Sequence, residues 1–251
     1  MNETVRGRAI EGFLLMLGLI LGGWILGSQI KATRLADRYV TVKGLVERNV
    51  KSDLAIWPIS FKESGASLQT VLDQSEKDKA SVLAFLKSQG FTSQEISVGN
   101  LGVTDRSADL YSSNAVKPES RFVVSQTITL TTNSVDRAVA AGSRAADLVR
   151  AGVVLSDAGV SYRFTGLNSL KPDMITEATR NARAAATRFA QDSGSEVGPI
   201  RSANQGVFSI SAASASSSSG DNNAGDFGTQ ADSSVMKKIR VVTTVDYYLV
   251  K

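Results

Sequence analysis

Residues 12–30, GFLLMLGLILGGWILGSQI, form a run of 19 uncharged residues whose only polar members, Ser28 and Gln29, stand at its far end. At about 1.5 Å of rise per residue, a helix of that length covers roughly the hydrocarbon thickness of a bilayer. No polar stripe interrupts it, so it lacks the face that a helix on a soluble core turns to water. The run therefore reads as one transmembrane helix. It divides the chain into a tail over 1–11, a span over 12–30, a linker over 31–38 and a domain over 39–251. Arg6 and Arg8 lead into the run as in a signal peptide. Its apolar stretch is long, however, and no Ala-x-Ala pattern follows, which favours an uncleaved signal anchor over a cleaved peptide.

Charge does not orient the span. Lys31, Arg34 and Arg38 on one side rival Arg6 and Arg8 on the other, although long domains translocate largely regardless of flanking charge. The expected arrangement keeps the tail in the cytoplasm and the domain outside. Inside the run, Gly18 and Gly22 form one GxxxG pair and Gly23 and Gly27 another. Such spacing lets helix backbones approach closely in lipid, and these four glycines are the candidate membrane-helix packing residues; the alternative is that glycine is simply frequent in membrane helices.

The chain contains no histidine and no cysteine. That removes Ser-His-Asp and Cys-His catalysis, imidazole and thiolate metal sites, and disulfides. Beyond residue 38 there remain 23 basic and 21 acidic residues, with no basic stripe interleaved with aromatics of the kind a nucleic-acid binder shows. No partner among nucleic acids is expected.

Along the domain, 39–46 (YVTVKGLV) alternates as a strand, and 53–63 reads as a second, with Pro58 placing it at a sheet edge or a bulge. Residues 68–88 change to helical period, with Leu68, Leu72, Ser75, Val82, Phe85 and Leu86 on one face and Gly90 as the stop. Strands over 95–103 and 121–132 follow, then an Ala-rich helix over 135–150 ending before Gly152, and a short strand over 159–164. Pro172 suits the first turn of a helix whose apolar face is Ile175, Ala178, Ala182, Ala185 and Phe189. Strands over 200–210 and 235–250 close the domain. This order argues for an α+β architecture with helices packed on antiparallel sheet.

Between the last two strands, 211–234 carries SSSSG and DNNAGDFG, with Phe227 its only large apolar residue. Such a segment has too little to bury to offset the entropy of ordering, and reads as a mobile loop. Asp221, Asn223, Asp226 and Asp232 invite a calcium reading, but Asp226 stands where the EF-hand needs Gly, Gly225 where it needs a ligand, and Asp232 where it needs a bidentate Glu. The loop reads as a solvated acidic linker. Walker, GxGxxG and GxSxG motifs are absent. Arg180, Arg183 and Arg188, interspersed with Glu177 and Asp192, read as a solvated helix face rather than an anion site.

Val42, Gly44, Asp53 and Ala55, a Val-x-Gly strand followed by an Asp-x-Ala strand, resemble the opening of the SIMPL domain family of bacterial envelope proteins. Ala182, Ala186, Ala190, Gly194 and Gly198 are similar to that family's second feature, an Ala-rich helix ending in Gly-x-x-x-Gly. Ser52 departs from the Pro that often precedes the Asp, and Ser193 from the apolar residue common before the Gly. The resemblance implies a two-part α+β domain in the periplasm or outer envelope that assembles into a ring-like homo-oligomer, with links to envelope stress and no established catalytic residues. The resulting expectation is a non-enzymatic, single-pass inner-membrane protein without cofactor or metal, whose partners are its own copies. The alternatives are an adaptor that takes a client protein on its Ser-rich loop, and an envelope enzyme built on carboxylates or a metal, for which no acid pair stands out in the sequence.

Overall fold

The structure, a computed structural model, describes residues 16–18, 20, 23–24, 38–107, 118–213 and 233–250. Two compact units arise from interleaved segments. One comprises the described parts of Met1–Val46, Pro172–Phe208 and Arg240–Lys251; the other comprises those of Glu47–Lys171 and Ser209–Ile239.

The second unit is built on strand β2 (Leu54–Gly65), which alternates so that Ala55, Trp57, Ile59 and Phe61 are all buried. The preceding strand, β1 (Tyr39–Lys51), runs five residues past the expected 39–46. Helix α1 (Leu68–Ser88) occupies its predicted span and turns Val71, Ser75, Asp78, Val82 and Leu86 inward. It ends as glycine requires: Gly90 adopts φ +84°, and the Phe91 N–H donates to Leu86 O at 3.2 Å, a left-handed cap that closes the orphan carbonyls. Strands β3 (Ile96–Val98) and β4 (Gly102–Asp105) replace the single strand expected over 95–103, and both pair antiparallel with β5 (Phe122–Thr132). The expected helix over 135–150 is two, α2 (Val135–Gly142) and α3 (Ala146–Arg150), followed by Gly152 at φ +96°. Short strands β6 (Leu155–Asp157) and β7 (Ser161–Arg163) then pair with β2 on the side away from β5. The core joins Trp57, Ile59, Phe61, Val82, Leu86, Ile128, Leu130 and Leu148.

Pro58 is neither at an edge nor in a bulge of its own strand; β2 is central. Lys62, of the same parity, donates its N–H to Val154 O on the β6 side. Pro58 therefore turns its donor-less nitrogen to that side, between the pairings Ile56↔Ser161 and Ser60↔Asp157. The neighbouring strand is interrupted there, so no ladder bond is lost. Trp57 Nε1 fills the gap by donating to Ala158 O at 2.8 Å.

The first unit packs helix α4 (Leu167–Asp192) on a sheet in which β10 (Met236–Val250) lies between β1 and β8 (Glu196–Gln205). Alternate residues of β10, among them Val241, Val245 and Tyr247, are buried, and its core gathers Val42, Ala182, Ala186, Val245 and Tyr247. Two expectations for α4 are corrected. Pro172 lies inside the helix, which starts at Leu167; a proline there forfeits one N–H while its fixed φ remains helical. The buried stripe is Met174, Ala178, Ala182, Ala186 and Ala190, strictly four apart, and Phe189 is 61% exposed. Large apolar residues suggested a face one step round from the small ones that pack. The strand expected over 200–210 is split into β8 and β9 (Ser209–Ala212), and β9 pairs with β10.

Candidate functional site

The sheet of the first unit is unevenly covered. One helix, about 10 Å wide, covers about two strands spaced at about 4.8 Å. In this sheet β1 and β10 alternate buried and exposed, while β8 is exposed at nearly every position on both faces. Ile200 lies opposite Tyr247 and therefore on the helix-bearing face. There it remains 50% exposed. Among the described residues no strand pairs with the outer edge of β8. Its register shifts between Asp246 and Leu249, together with Pro199, disrupt a flat edge at one end; bulges and proline discourage further backbone pairing.

On the opposite face, side chains lace the strands together. Asp246 accepts from Thr41 Oγ1 at 2.7 Å and from Ser202 Oγ at 2.6 Å. These two bonds, and then the charge of Arg201, hold its carboxyl below the usual range. The Arg201 guanidinium lies 4.1 Å from the Tyr39 ring centroid and 6.0 Å from that of Tyr248.

The second unit holds an acid pair that the sequence reading did not find. Glu63 continues the core face of β2 beyond Phe61, and Asp78 lies in the buried stripe of α1 at 3% exposure. Burial, then the hydrogen bond and charge of Asp78, push the Glu63 carboxyl up to about 7. Gln74 orients the pair by donating Nε2 to Asp78 Oδ1 at 3.0 Å. Glu63 Oε1 and Asp78 Oδ2 are buried and receive no donor. Glu63 and Gln74 also line a cleft of about 360 Å³ with Ser64, Ser67, Thr70 and Val71. The missed signal was positional: Asp78 stands three residues after Ser75 and four before Val82, inside the apolar stripe.

The residues that carried the family resemblance have packing roles. A Cβ on Gly44 would lie 1.9 Å from Ala178 O, so only glycine lets β1 approach α4. Asp53 accepts from Thr165 N at 2.7 Å, Thr165 Oγ1 at 3.0 Å and Gly166 N at 3.1 Å. Gly194 adopts φ +64° at the end of α4, where the Ser195 N–H donates to Ala190 O at 2.8 Å. A Cβ on Gly198 would meet Tyr248 O at 3.0 Å. Ser52 uses the N–H that a proline would lack, donating to Val235 O at 2.9 Å.

Of the membrane-helix glycines, Gly18 and Gly23 are in helical conformation with open space where a Cβ would stand, whereas Gly22 and Gly27 lie outside the described residues. Among the described residues no helix is long and apolar enough to cross a membrane, and most of 12–30 lies outside them. Asp221, Asn223, Asp226, Phe227 and Asp232 also lie outside them. Arg180, Arg183 and Arg188 are all exposed on α4.

No curated protein matches the chain. A family model described as "SIMPL: Protein of unknown function (DUF541)" matches residues 40–247, spanning both units and the residues of both packing motifs; the chain belongs to the SIMPL family.

Proposed function

We propose that this SIMPL protein is a non-enzymatic scaffold of the cell envelope, anchored in the inner membrane by residues 12–30 and assembled through its periplasmic domain into a ring-like homo-oligomer that serves the envelope stress response. The observation that carries the assembly is β8. A strand bare on both faces, with Ile200 half exposed and Val207 69% exposed at its end, leaves apolar surface that a second copy would cover. The bulges and Pro199 direct that contact to side-chain faces rather than to backbone extension.

The anchor rests on the 19-residue uncharged run. The described apolar residues within it support this reading, since Met16, Leu17, Ile20 and Trp24 are all exposed, as lipid-facing side chains are. Protease added to spheroplasts should digest residues 39–251; a domain protected while a periplasmic marker is lost would overturn the orientation. Assembly belongs mainly to the domain, because contacts between membrane helices are individually weak, at about 1 kcal/mol per interhelical hydrogen bond. Ile200→Asp should therefore lower the oligomeric mass without unfolding the protein, and unchanged mass would remove β8 from the interface.

A further inference from the structure

One end of the first unit gathers exposed aromatic and aliphatic side chains, and the backbone fixes which end it is. Glu196 at the start of β8 pairs with Val250 at the end of β10, and the Leu249 N–H donates to Arg38 O at 2.8 Å, just before β1 begins. Helix α4 finishes there too. It runs antiparallel to β1, since Gly44 approaches Ala178 and Ala182 while Val42 packs with Ala182 and Ala186, and only residues 193–195 separate its last residue from β8. Asn181, Ala185 and Phe189 stand four apart in one row of α4. Asn181 Nδ2 donates to Leu45 O at 3.0 Å, so the row follows β1 and carries the exposed Phe189 to this end. On the other face of the sheet, Tyr39 is 47% and Val250 43% exposed. The Arg201 guanidinium, stacked on the Tyr39 ring, holds that ring in place, and Arg38 and Arg188 are both exposed.

The length of the chain before β1 indicates what covers this end. The uncharged run 12–30 stops eight residues before Arg38, and eight fully extended residues reach at most about 29 Å. A tether that short keeps the start of β1 at high effective concentration against whatever surface holds the run. The chemistry matches a bilayer interface. Aromatic rings are enriched at headgroup level, where an apolar body and a polar tip are both satisfied, and a guanidinium pairs with phosphate oxygens. Asp192 and Glu196 are also exposed here and offset much of the arginine charge. Insertion of side chains, rather than long-range attraction to anionic lipid, is therefore the main contact.

We propose that this end of the first unit docks on the phospholipid headgroup layer of the membrane, with Phe189, Tyr39 and Val250 as its apolar contacts and Arg38 and Arg188 on lipid phosphate. The proposal rests on the reading of residues 12–30 as a membrane anchor. Phe189 stands on the helix layer and Tyr39 on the opposite face of the sheet, so contact through both fixes the tilt of the unit against the bilayer as well as its distance. Strand β8 starts at this end and runs away from it, which leaves its faces to a second copy.

The test uses the full-length protein in phosphatidylcholine nanodiscs. The chain has no cysteine, so Phe189→Cys, Asp173→Cys and Ile20→Cys each take a single nitroxide label. Collisions of the label with oxygen, which concentrates in lipid, and with a water-soluble nickel chelate report its depth. Asp173 is exposed near the other end of α4, about 24 Å away along the helix. The label at 20 should read as lipid and that at 173 as water. The label at 189 should meet nickel several-fold less often than that at 173, and oxygen more often. A label at 189 as aqueous as that at 173, with the label at 20 in lipid, would overturn the docking and leave the anchor intact. Shielding of 189 from both reagents would overturn it as well, since protein rather than lipid would then cover this end. A label at 20 in water would remove the anchor, and the docking with it. Should Phe189→Cys fail to fold, Gln191→Cys, exposed in the same last turn, takes its place with the same outcomes.

Discussion

Gly44 shows how little room a single residue has in this chain. Its missing Cβ is what lets Ala178 and Ala182 seat on β1, so Gly44→Ala should cost about 3 kcal/mol through overpacking against backbone, read as a fall in the urea unfolding midpoint. Asp53 is a second such position. It gathers three donors from Thr165 and Gly166, and Asp53→Ala should cost about 2–3 kcal/mol because two backbone N–H groups lose their acceptor. Glu63 works in the opposite direction. Its carboxyl is pushed up to about 7 from an ordinary 4.5, so its contribution to stability is complete below about pH 4.5 and is lost as pH rises through about 7. That loss should be about 1–2 kcal/mol after screening of a half-buried group, and Glu63→Gln, which keeps a donor toward Asp78, should flatten the profile between about pH 5 and 8. The glycine and aspartate were picked out through the family resemblance, by Val-x-Gly and Asp-x-Ala, while their contacts with Ala178, Thr165 and Gly166 emerge only in the fold. The acid pair was not, because Glu63 and Asp78 meet only once β2 and α1 pack, although Asp78 already stood in the stripe.

At the level of elements, α1 was readable end to end: a continuous change of period and Gly90 mark its limits. Helix α4 was readable in extent from Pro172 onward but not in its face. Ile175 and Phe189 drew the expected stripe toward bulk, whereas close approach to Gly44 selects the alanines. The strand breaks at 99–101 and 206–208 and the helix break at 143–145 were also hidden, since each follows from how one segment meets its neighbours rather than from local propensity. The 214–232 connection lies outside the described residues, yet both of its stems are fixed: β9 pairs with β10, and the Ala213 N–H donates to Met236 O at 2.9 Å. Replacing 214–232 with a short Gly-containing turn should leave the melting temperature nearly unchanged, as each halving of a flexible loop alters closure entropy by about 0.6 kcal/mol. A large fall would show that the segment, with Phe227, is ordered against protein.

At the scale of the whole molecule, the proposed assembly would explain why β8 is left bare: a helix wide enough for two strands meets the run β1–β10–β8. In the proposed arrangement, the membrane span holds an oligomer already formed by the domain, rather than creating it. Ile200→Asp and the loop replacement separate these roles, the first acting on the interface and the second sparing it. The most direct measurement is the native mass of a chain beginning at Arg38, free of detergent and at micromolar concentration. A closed homo-oligomer of defined stoichiometry, dispersed by Ile200→Asp, is the predicted result, and a folded, monodisperse monomer would contradict the account.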